Sequence, residues 1–135
     1  MNVAFADSSF YVALLISRDA NHAKALSVAR AWHGSVVTTR DVLTEVANLL
    51  CGSQIGRTKF GQFLADLEAD PNTLIVESSH GLWKRGVDFY LRRPDKQWSL
   101  TDCISFLVME DHGLNQALAA DHHFEQAGFI LLLGY

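Results

Sequence analysis

Five short, largely apolar runs recur along the chain and limit the folds that it can adopt. They are VAFA at 3–6, SVVT at 35–38, TLIV at 73–76, ALAA at 117–120 and FILLL at 129–133. None of these runs alternates polar with apolar residues, as a strand with one face in water would. A strand that is covered on both faces has a continuous apolar run, which is typical of parallel sheets. The runs therefore predict a parallel sheet enclosed by other elements.

Segments with helix-like character lie between these runs. They are 8–16, 20–33, 40–51, 56–69, 79–92, 99–111 and 122–127. Strands alternating with helices predict a three-layer α/β/α domain with a central, mostly parallel sheet of four or five strands. Since the chain has 135 residues, one domain over 1–135 is expected. In such sheets, ligands bind beyond the carboxyl ends of the strands, near the point where the strand order reverses.

The composition is that of an ordinary soluble globular protein, with 49% hydrophobic and 19% charged residues. Cys51 and Cys103 lie in apolar helical contexts without C-x-x-C spacing, which predicts two reduced core thiols in a cytoplasmic protein. The N-terminus has no basic region before its apolar run, and Asp7 interrupts that run. We therefore expect neither a secretion signal nor a membrane helix there.

Acidic residues stand at the ends of predicted strands or near the starts of predicted helices. Asp7 follows the first apolar run directly, and Asp121 follows the fourth. Asp102 lies three residues after Ser99 in SLTD, which has the form of a capping box. Glu45 lies at the edge of the apolar stripe of TTRDVLTEVANLL. Taken singly, helix capping explains the three aspartates and solvent exposure explains the glutamate.

The shared location of the acids favours a metal site over separate explanations. Carboxyl ends of parallel strands meet at one edge of the sheet, which brings Asp7 near Asp121, and helix starts at that edge bring in Asp102. Converging carboxylates repel one another, and a divalent cation relieves the repulsion. Oxygen ligands select Mg²⁺ or Mn²⁺. The adjacent pair His122 and His123 lacks the helix-face spacing of zinc ligands, so no zinc site is predicted.

Four segments together resemble PIN-domain proteins, of the kind found as VapC-type toxin ribonucleases in bacterial toxin–antitoxin pairs. The segments are VAFADSSFYVALLISRDANHAKA, TTRDVLTEVANLL, WSLTDCISFLVM and ALAADHHFEQAGF, and they run over essentially the whole chain. The resemblance implies that Asp7, Glu45, Asp102 and Asp121 are catalytic metal ligands, the last of them through water. It implies that Ser8 supports the first acid, and that the reaction is cleavage of RNA phosphodiester bonds dependent on Mg²⁺ or Mn²⁺.

The resemblance also implies partners, namely an RNA substrate, a cognate antitoxin protein and a second copy of the chain in a homodimer. The middle segment, 56–91, spreads apolar residues over helices that serve the core or such a contact. Two positions depart from the family's pattern. Ala119 stands where many relatives have Thr or Ser, and His122 stands where many have Arg.

Basic residues before the SLTD helix are candidates for RNA contact. The cluster consists of Lys84, Arg85, Arg92, Arg93 and Lys96, and Arg40 is a weaker candidate. A solvated helix end explains the cluster equally well. Trp98 beside it could stack on a base, although core packing is favoured. The net charge of −4 argues mildly against nucleic acid, unless a bound cation reverses the sign locally.

Two other functions stay open. One is a degenerate PIN fold that only binds, against which the four acids weigh. The other is a Mg²⁺-dependent phosphoacceptor or phosphatase with Asp7 as nucleophile. That chemistry needs a second acid close to Asp7 and a late lysine, whereas Ser8 follows Asp7 and the last lysine is Lys96.

Overall fold

The computed structural model describes residues 2–134, which contain a five-stranded parallel sheet with helices around it. The strands are β1 (Val3–Ala6), β2 (Ser35–Thr39), β3 (Thr73–Val76), β4 (Gln116–Leu118) and β5 (Ile130–Leu131). Their order is β3-β2-β1-β4-β5, and every neighbouring pair is parallel. The predicted three-layer α/β/α fold is therefore confirmed.

The helices of residues 2–134 connect the strands in two groups. They are α1 (Ser8–Leu15), α2 (His22–Ala31), α3 (Arg40–Leu49), α4 (Gln54–Ala69), α5 (His80–Arg92), α6 (Leu100–Asp111) and α7 (His123–Gln126). The first four helices lead the chain outward from β1 to β3, and the last three lead it through β4 to β5. Right-handed crossovers in opposite directions place the two groups on opposite faces of the sheet. The order thus reverses between β1 and β4, which puts the expected ligand site at their carboxyl ends.

The central strand β1 forms the middle of the core. Ala4, Phe5 and Ala6 have no exposed surface. The Phe5 ring stacks on Phe124 of α7 at a centroid distance of 6.0 Å, and Phe124 meets Phe106 of α6 edge-on at 4.9 Å. Each such aromatic pair contributes about 0.5–1.5 kcal/mol beyond its buried area. These contacts hold α6 and α7 against β1, and both helices carry residues of the site described below.

Some element boundaries differ from the predicted ones because side chains pair with the backbone. The strand β4 ends two residues earlier than expected, since the Ala120 N–H donates to the Ser9 hydroxyl at 3.0 Å. The helix α4 begins two residues earlier, since the Ser53 hydroxyl accepts from the Gly56 N–H at 3.0 Å. A Cβ at Gly56 would lie 2.2 Å from the Leu50 carbonyl oxygen, so only glycine fits that turn.

The prediction of two core thiols is half wrong. Cys103 is buried in α6, but Cys51 is exposed because α3 ends at Leu49 and Cys51 lies in the turn that follows. The preferred interpretation of Trp98 is confirmed, since only 5% of it is exposed and its indole N–H donates to Gln126. None of the helices in the described part of the chain has the length and apolar content needed to cross a membrane.

The closest approach between α5 and α6 requires Gly86, and we expect Gly86→Ala to destabilise the fold by about 1–3 kcal/mol. A Cβ at this position would lie 2.5 Å from Cγ1 of Ile104, a buried β-branched residue that has little room to move. Urea unfolding measures the change. Gly61→Ala in α4 is the control, because no atom would lie within 4 Å of its Cβ, and it should stabilise by roughly 0.5–1 kcal/mol. Equal effects of the two substitutions would contradict the steric argument.

Candidate active site

Asp7, which directly follows β1, is the most enclosed carboxylate of the candidate site, with 2% of the residue exposed. Its N–H donates to the Leu118 carbonyl at 3.0 Å, which ties it to β4. Its Oδ2 caps α1 by accepting from the N–H and the hydroxyl of Ser9, at 3.2 and 2.7 Å. Its Oδ1 is buried and accepts no hydrogen bond from residues 2–134. One oxygen of a buried carboxylate is therefore without the partner that buried polar atoms normally have.

Asp102 caps α6 and also faces other acids. The Ser99 hydroxyl accepts from the Asp102 N–H and Asp102 Oδ2 accepts from the Ser99 N–H, both at 3.0 Å, so the predicted capping box is confirmed. The residue is only 5% exposed. The same Oδ2 lies 3.0 Å from Nδ1 of His123. The acid in the first turn of this apolar helix thus has contacts both within its own helix and beyond it.

Glu45 reaches the site from α3 and is joined to α1. The Ser8 hydroxyl donates to Oε1 of Glu45, which places the second acid beside the residue that follows Asp7. Glu45 also lines a cleft of about 200 Å³, whose other lining residues are Asp41, Thr44, Asn48 and Thr101. Since Thr101 directly precedes Asp102, the cleft adjoins the start of α6.

Asp121 lies in the loop after β4 and is linked to Asp102 by His123. The His123 N–H donates to Asp121 Oδ1 at 2.9 Å, and Nδ1 of His123 lies 3.2 Å from Asp121 Oδ2. Sequence reasoning missed His123, because it considered only the spacing of the histidine pair along a helix. The available signal was its place two residues after Asp121, where a backbone N–H meets an aspartate side chain in an Asx turn.

Burial and the proximity of the acids change the pKa values of Asp7 and Asp102. Burial, and to a lesser extent the charges of Asp102 and Glu45, raises the pKa of Asp7 to about 7, although hydrogen bonds from Ser9 oppose the change. Burial also raises the pKa of Asp102, and the charge of Asp121 adds to that effect. The structure therefore brings together all four acids named from the sequence, each within electrostatic reach of another.

The residues named for RNA contact lie outside this network of hydrogen bonds in residues 2–134. Arg40 pairs with two glutamates and Arg93 with one aspartate of the protein itself. Arg92 and Lys96 form no ion pair within the described residues, and their cations lie near aromatic rings instead. A groove of about 770 Å³ is lined by Arg93, Lys96 and Ser99, among others. Because Ser99 caps the helix of the third acid, this groove borders the start of α6.

Comparisons with known proteins find relatives that share this fold, although no family model matches the chain. VapC20 of Mycobacterium tuberculosis, a 23S rRNA-specific endonuclease, is 28% identical over 129 residues. The matched part is 93% of this chain and 95% of VapC20. The crystal structure of VapC20, described as a sarcin–ricin loop cleaving toxin, superposes with a TM-score of 0.86 at 26% identity. That superposition covers 96% of this chain and 97% of the other.

Two more distant solved structures share the fold. They are VapBC2 from Rickettsia felis, bound to a DNA fragment from its promoter, and FitAcB from Neisseria gonorrhoeae. Each has a TM-score of 0.65 and covers 96% of this chain, with 97% and 96% of the other chain covered. Their identities of 10% and 12% limit the likeness to the fold.

The raised pKa of Asp7 predicts that the chelator-treated protein loses stability as the pH rises. The pKa of Asp7 is about 7 in the folded state, against an ordinary value of about 3.9. Between these values the folded state holds a proton that the unfolded state has released, so raising the pH favours unfolding. From about pH 5.5 to about pH 8 the loss from Asp7 should be roughly 2 kcal/mol.

Urea unfolding in EDTA at the two pH values measures the loss, and Asp7→Asn removes the titrating group. Burial also raises the pKa of Asp102. The free energy of unfolding of the variant should therefore depend on pH less than that of the wild type, through Asp102 and other groups. Identical pH dependence of the wild type and Asp7→Asn would show that Asp7 does not titrate in this range.

Proposed function

We propose that this chain is a divalent-metal-dependent endoribonuclease that hydrolyses RNA phosphodiester bonds. The premise is that it is a homologue of VapC20 with the fold of VapC-type PIN-domain toxins. The observation that carries the proposal is the convergence of Asp7, Glu45, Asp102 and Asp121 at the switch point of a parallel sheet. The similarity to VapC20, an endonuclease, supports it over nearly the whole of both chains.

The donor atoms fit a hard divalent cation. Oδ1 of Asp7 is buried without a hydrogen-bond donor in the described residues, and burial, with a smaller effect from the neighbouring acids, raises the pKa of Asp7. A cation supplies the opposite charge that such an oxygen lacks. Carboxylate oxygens are the preferred ligands of Mg²⁺ and Mn²⁺, and we propose one of these ions as the cofactor, held by the four acids.

The residues around the acids act by holding them in position. A bound cation would supply the positive charge that stabilises the phosphate in the transition state and would lower the pKa of the attacking water. Ser9 orients Asp7, Ser99 orients Asp102 and Ser8 holds Glu45 through hydrogen bonds. Because the carboxylates are ordered before RNA arrives, less reorganisation is needed during the reaction. Attack by water, rather than by the ribose 2′-hydroxyl, yields a 5′-phosphate and a 3′-hydroxyl.

We further propose that RNA approaches over the groove beside Ser99. Lys96 lines this groove, and Arg92 lies at the end of α5 and lines a neighbouring groove. Neither forms a salt bridge within residues 2–134, although the charge of Lys96 acts on Asp95, and both cations would attract phosphate groups. Arg40 and Arg93 are weaker candidates, because each would first have to leave an acidic partner.

We propose a protein antitoxin as a partner, because solved structures with this fold include the toxin–antitoxin complexes VapBC2 and FitAcB. Apolar side chains exposed on the surface offer area for such a partner or for a second copy of the chain. They include Leu49, Ile55, Trp83, Tyr90 and Leu91. A homodimer remains part of the proposal.

The metal-dependent reaction is tested by Asp102→Asn, which should reduce RNA cleavage by more than about 100-fold. Asparagine keeps an oxygen for the Ser99 N–H, so α6 stays capped while the charge that attracts a cation is lost. Cleavage of an RNA hairpin with the sarcin–ricin loop sequence, the target described for VapC20, is measured with Mn²⁺, Mg²⁺ or EDTA. Sequencing of the product ends should find 5′-phosphates.

Glu110→Gln on the exposed end of the same helix is the control, and its cleavage rate should equal that of the wild type. Wild-type cleavage by Asp102→Asn, or cleavage that survives EDTA, would contradict a metal-dependent reaction. Mn²⁺ binding without cleavage of any RNA would favour a fold used only for binding.

The RNA path predicts that Arg92→Ala combined with Lys96→Ala weakens RNA binding without lowering kcat at saturating RNA. Loss of two phosphate contacts should reduce the slope of log affinity against log salt by about 1.4 for single-stranded RNA. Binding is measured with Asp102→Asn as the background, so that RNA stays intact. Arg30→Ala is the control, since Arg30 lies on α2 and lines a separate groove. An unchanged slope in the double variant would remove the proposed path.

A further inference from the structure

We propose that His123 is a positioning residue of the candidate site. Its ring holds the carboxylate of Asp102 by a hydrogen bond to Oδ2, so that Oδ1 is the oxygen left to bind the divalent cation. The inference rests on the proposed function, because it takes the acids to bind a cation. It gives a role to a side chain that the sequence left unassigned.

The hydrogen bonds of Asp102 are concentrated on one of its two oxygens. Oδ2 accepts from the Ser99 N–H and pairs with Nδ1 of His123, both at 3.0 Å. No hydrogen bond or ion pair within residues 2–134 reaches Oδ1 of the same carboxylate. The protein therefore occupies one oxygen of this buried acid and leaves the other open.

Asp7 and Glu45 show the same division between their oxygens. Oδ2 of Asp7 accepts two hydrogen bonds from Ser9, whereas its buried Oδ1 accepts none from residues 2–134. Oε1 of Glu45 accepts from the Ser8 hydroxyl. Carboxylates that bind a metal are typically held by hydrogen bonds from neighbouring groups. In Asp102 the ring of His123 thus acts as Ser9 does in Asp7.

The hydrogen bond from His123 is not needed to cap α6. The capping box of Ser99 and Asp102 is complete without it, since each residue accepts from the backbone N–H of the other. A carboxylate that binds a cation is ionised and only accepts hydrogen bonds, so the hydrogen lies on Nδ1 of the imidazole. The ring therefore fixes the rotation of a carboxylate whose helix is already capped.

The ring has little freedom to leave this position. The His123 N–H donates to Asp121 Oδ1 at 2.9 Å, and Oδ2 of Asp121 lies 3.2 Å from Nδ1 of the ring. The next residue, Phe124, is fully buried and meets Phe106 of α6 at 4.9 Å. Only 18% of the His123 side chain is exposed. The short helix α7 is thus anchored beside the helix that carries Asp102.

Two substitutions of equal shape separate the hydrogen bond from the volume of the ring. In His123→Asn, the amide nitrogen is attached to Cγ as Nδ1 is in histidine, and it donates a hydrogen bond. In His123→Leu, a methyl group takes that place and donates none. His122→Leu is the control for position, because His122 has 60% of its side chain exposed and its Nδ1 lies 3.6 Å from the nearer Asp121 oxygen.

The test measures Mn²⁺ binding to the full chain by titration calorimetry, without RNA or turnover. His123→Leu should bind Mn²⁺ about 10–100-fold more weakly than the wild type, the usual effect of losing a group that orients a metal ligand. His123→Asn should bind within about threefold of the wild type, because the donor is restored. His122→Leu should match the wild type. Urea unfolding in EDTA checks that each variant is folded.

Pulsed electron paramagnetic resonance of the Mn²⁺-loaded chain distinguishes positioning from direct ligation by the ring. The wild type and His123→Asn should give the same spectrum, because the ring acts on the ion only through Asp102. An imidazole nitrogen coupling that is present in the wild type and in His122→Leu, and absent from His123→Asn, would overturn the positioning role.

The failures of the two proposals are distinguishable. Equal Mn²⁺ affinity in His123→Leu and the wild type would overturn the role of His123 and leave metal-dependent cleavage intact. A loss of about tenfold or more in His123→Asn would do the same, whether or not His123→Leu folds. A wild-type protein that binds neither Mn²⁺ nor Mg²⁺ would overturn both proposals.

Discussion

A carboxylate at the end of the most buried strand is the constraint on which the candidate site depends. Phe5 and Ala6 have no exposed surface, so the next residue, Asp7, is drawn into the interior with them. Burying a charge there is unfavourable unless hydrogen bonds or an opposite charge stabilise it. Ser9 compensates part of that cost by donating two hydrogen bonds to Asp7, whereas the start of α6 brings the charge of Asp102 near and adds to the cost.

Hydroxyl groups provide most of the compensation within the protein. Ser9 donates to Asp7 and accepts from the Ala120 N–H, so one side chain joins the acid to the loop that carries Asp121. Ser8 performs a related role for Glu45 on the adjacent helix. Ala119 offers no hydroxyl to this loop, and Ser9 brings one to it from the start of α1.

A cation bound at the acids would couple its binding to folding. Acids that repel one another in the folded state lower its stability when they are ionised, and a cation bound only by the folded state restores it. The helices that carry the acids are meanwhile held by contacts away from the charges, such as those of Phe5, Phe106 and Phe124. The apolar core can therefore keep the carboxylates close together in spite of their repulsion.

The sequence alone determined the element order and the choice of Asp7, Asp102 and Asp121, because apolar period, strand ends and helix starts are local features. Glu45 was added by the resemblance to PIN-domain proteins. It also predicted the capping box of α6, which spans only three residues. It could not reveal that Cys51 is exposed, since a turn of a few residues decides that burial. Arg40 and Arg93 likewise find their acidic partners only once helices and loops are in place.

The role of His123 was decided by tertiary structure. It lies 21 residues beyond Asp102 in the chain, and its ring reaches that acid because α6 and α7 both pack against β1 through aromatic side chains. Spacing along the sequence describes a single helix or strand, and it contains no information on atoms that meet between two elements. The sequence therefore specified which acids to consider, and the packing of helices around the central strand decided which side chains join them.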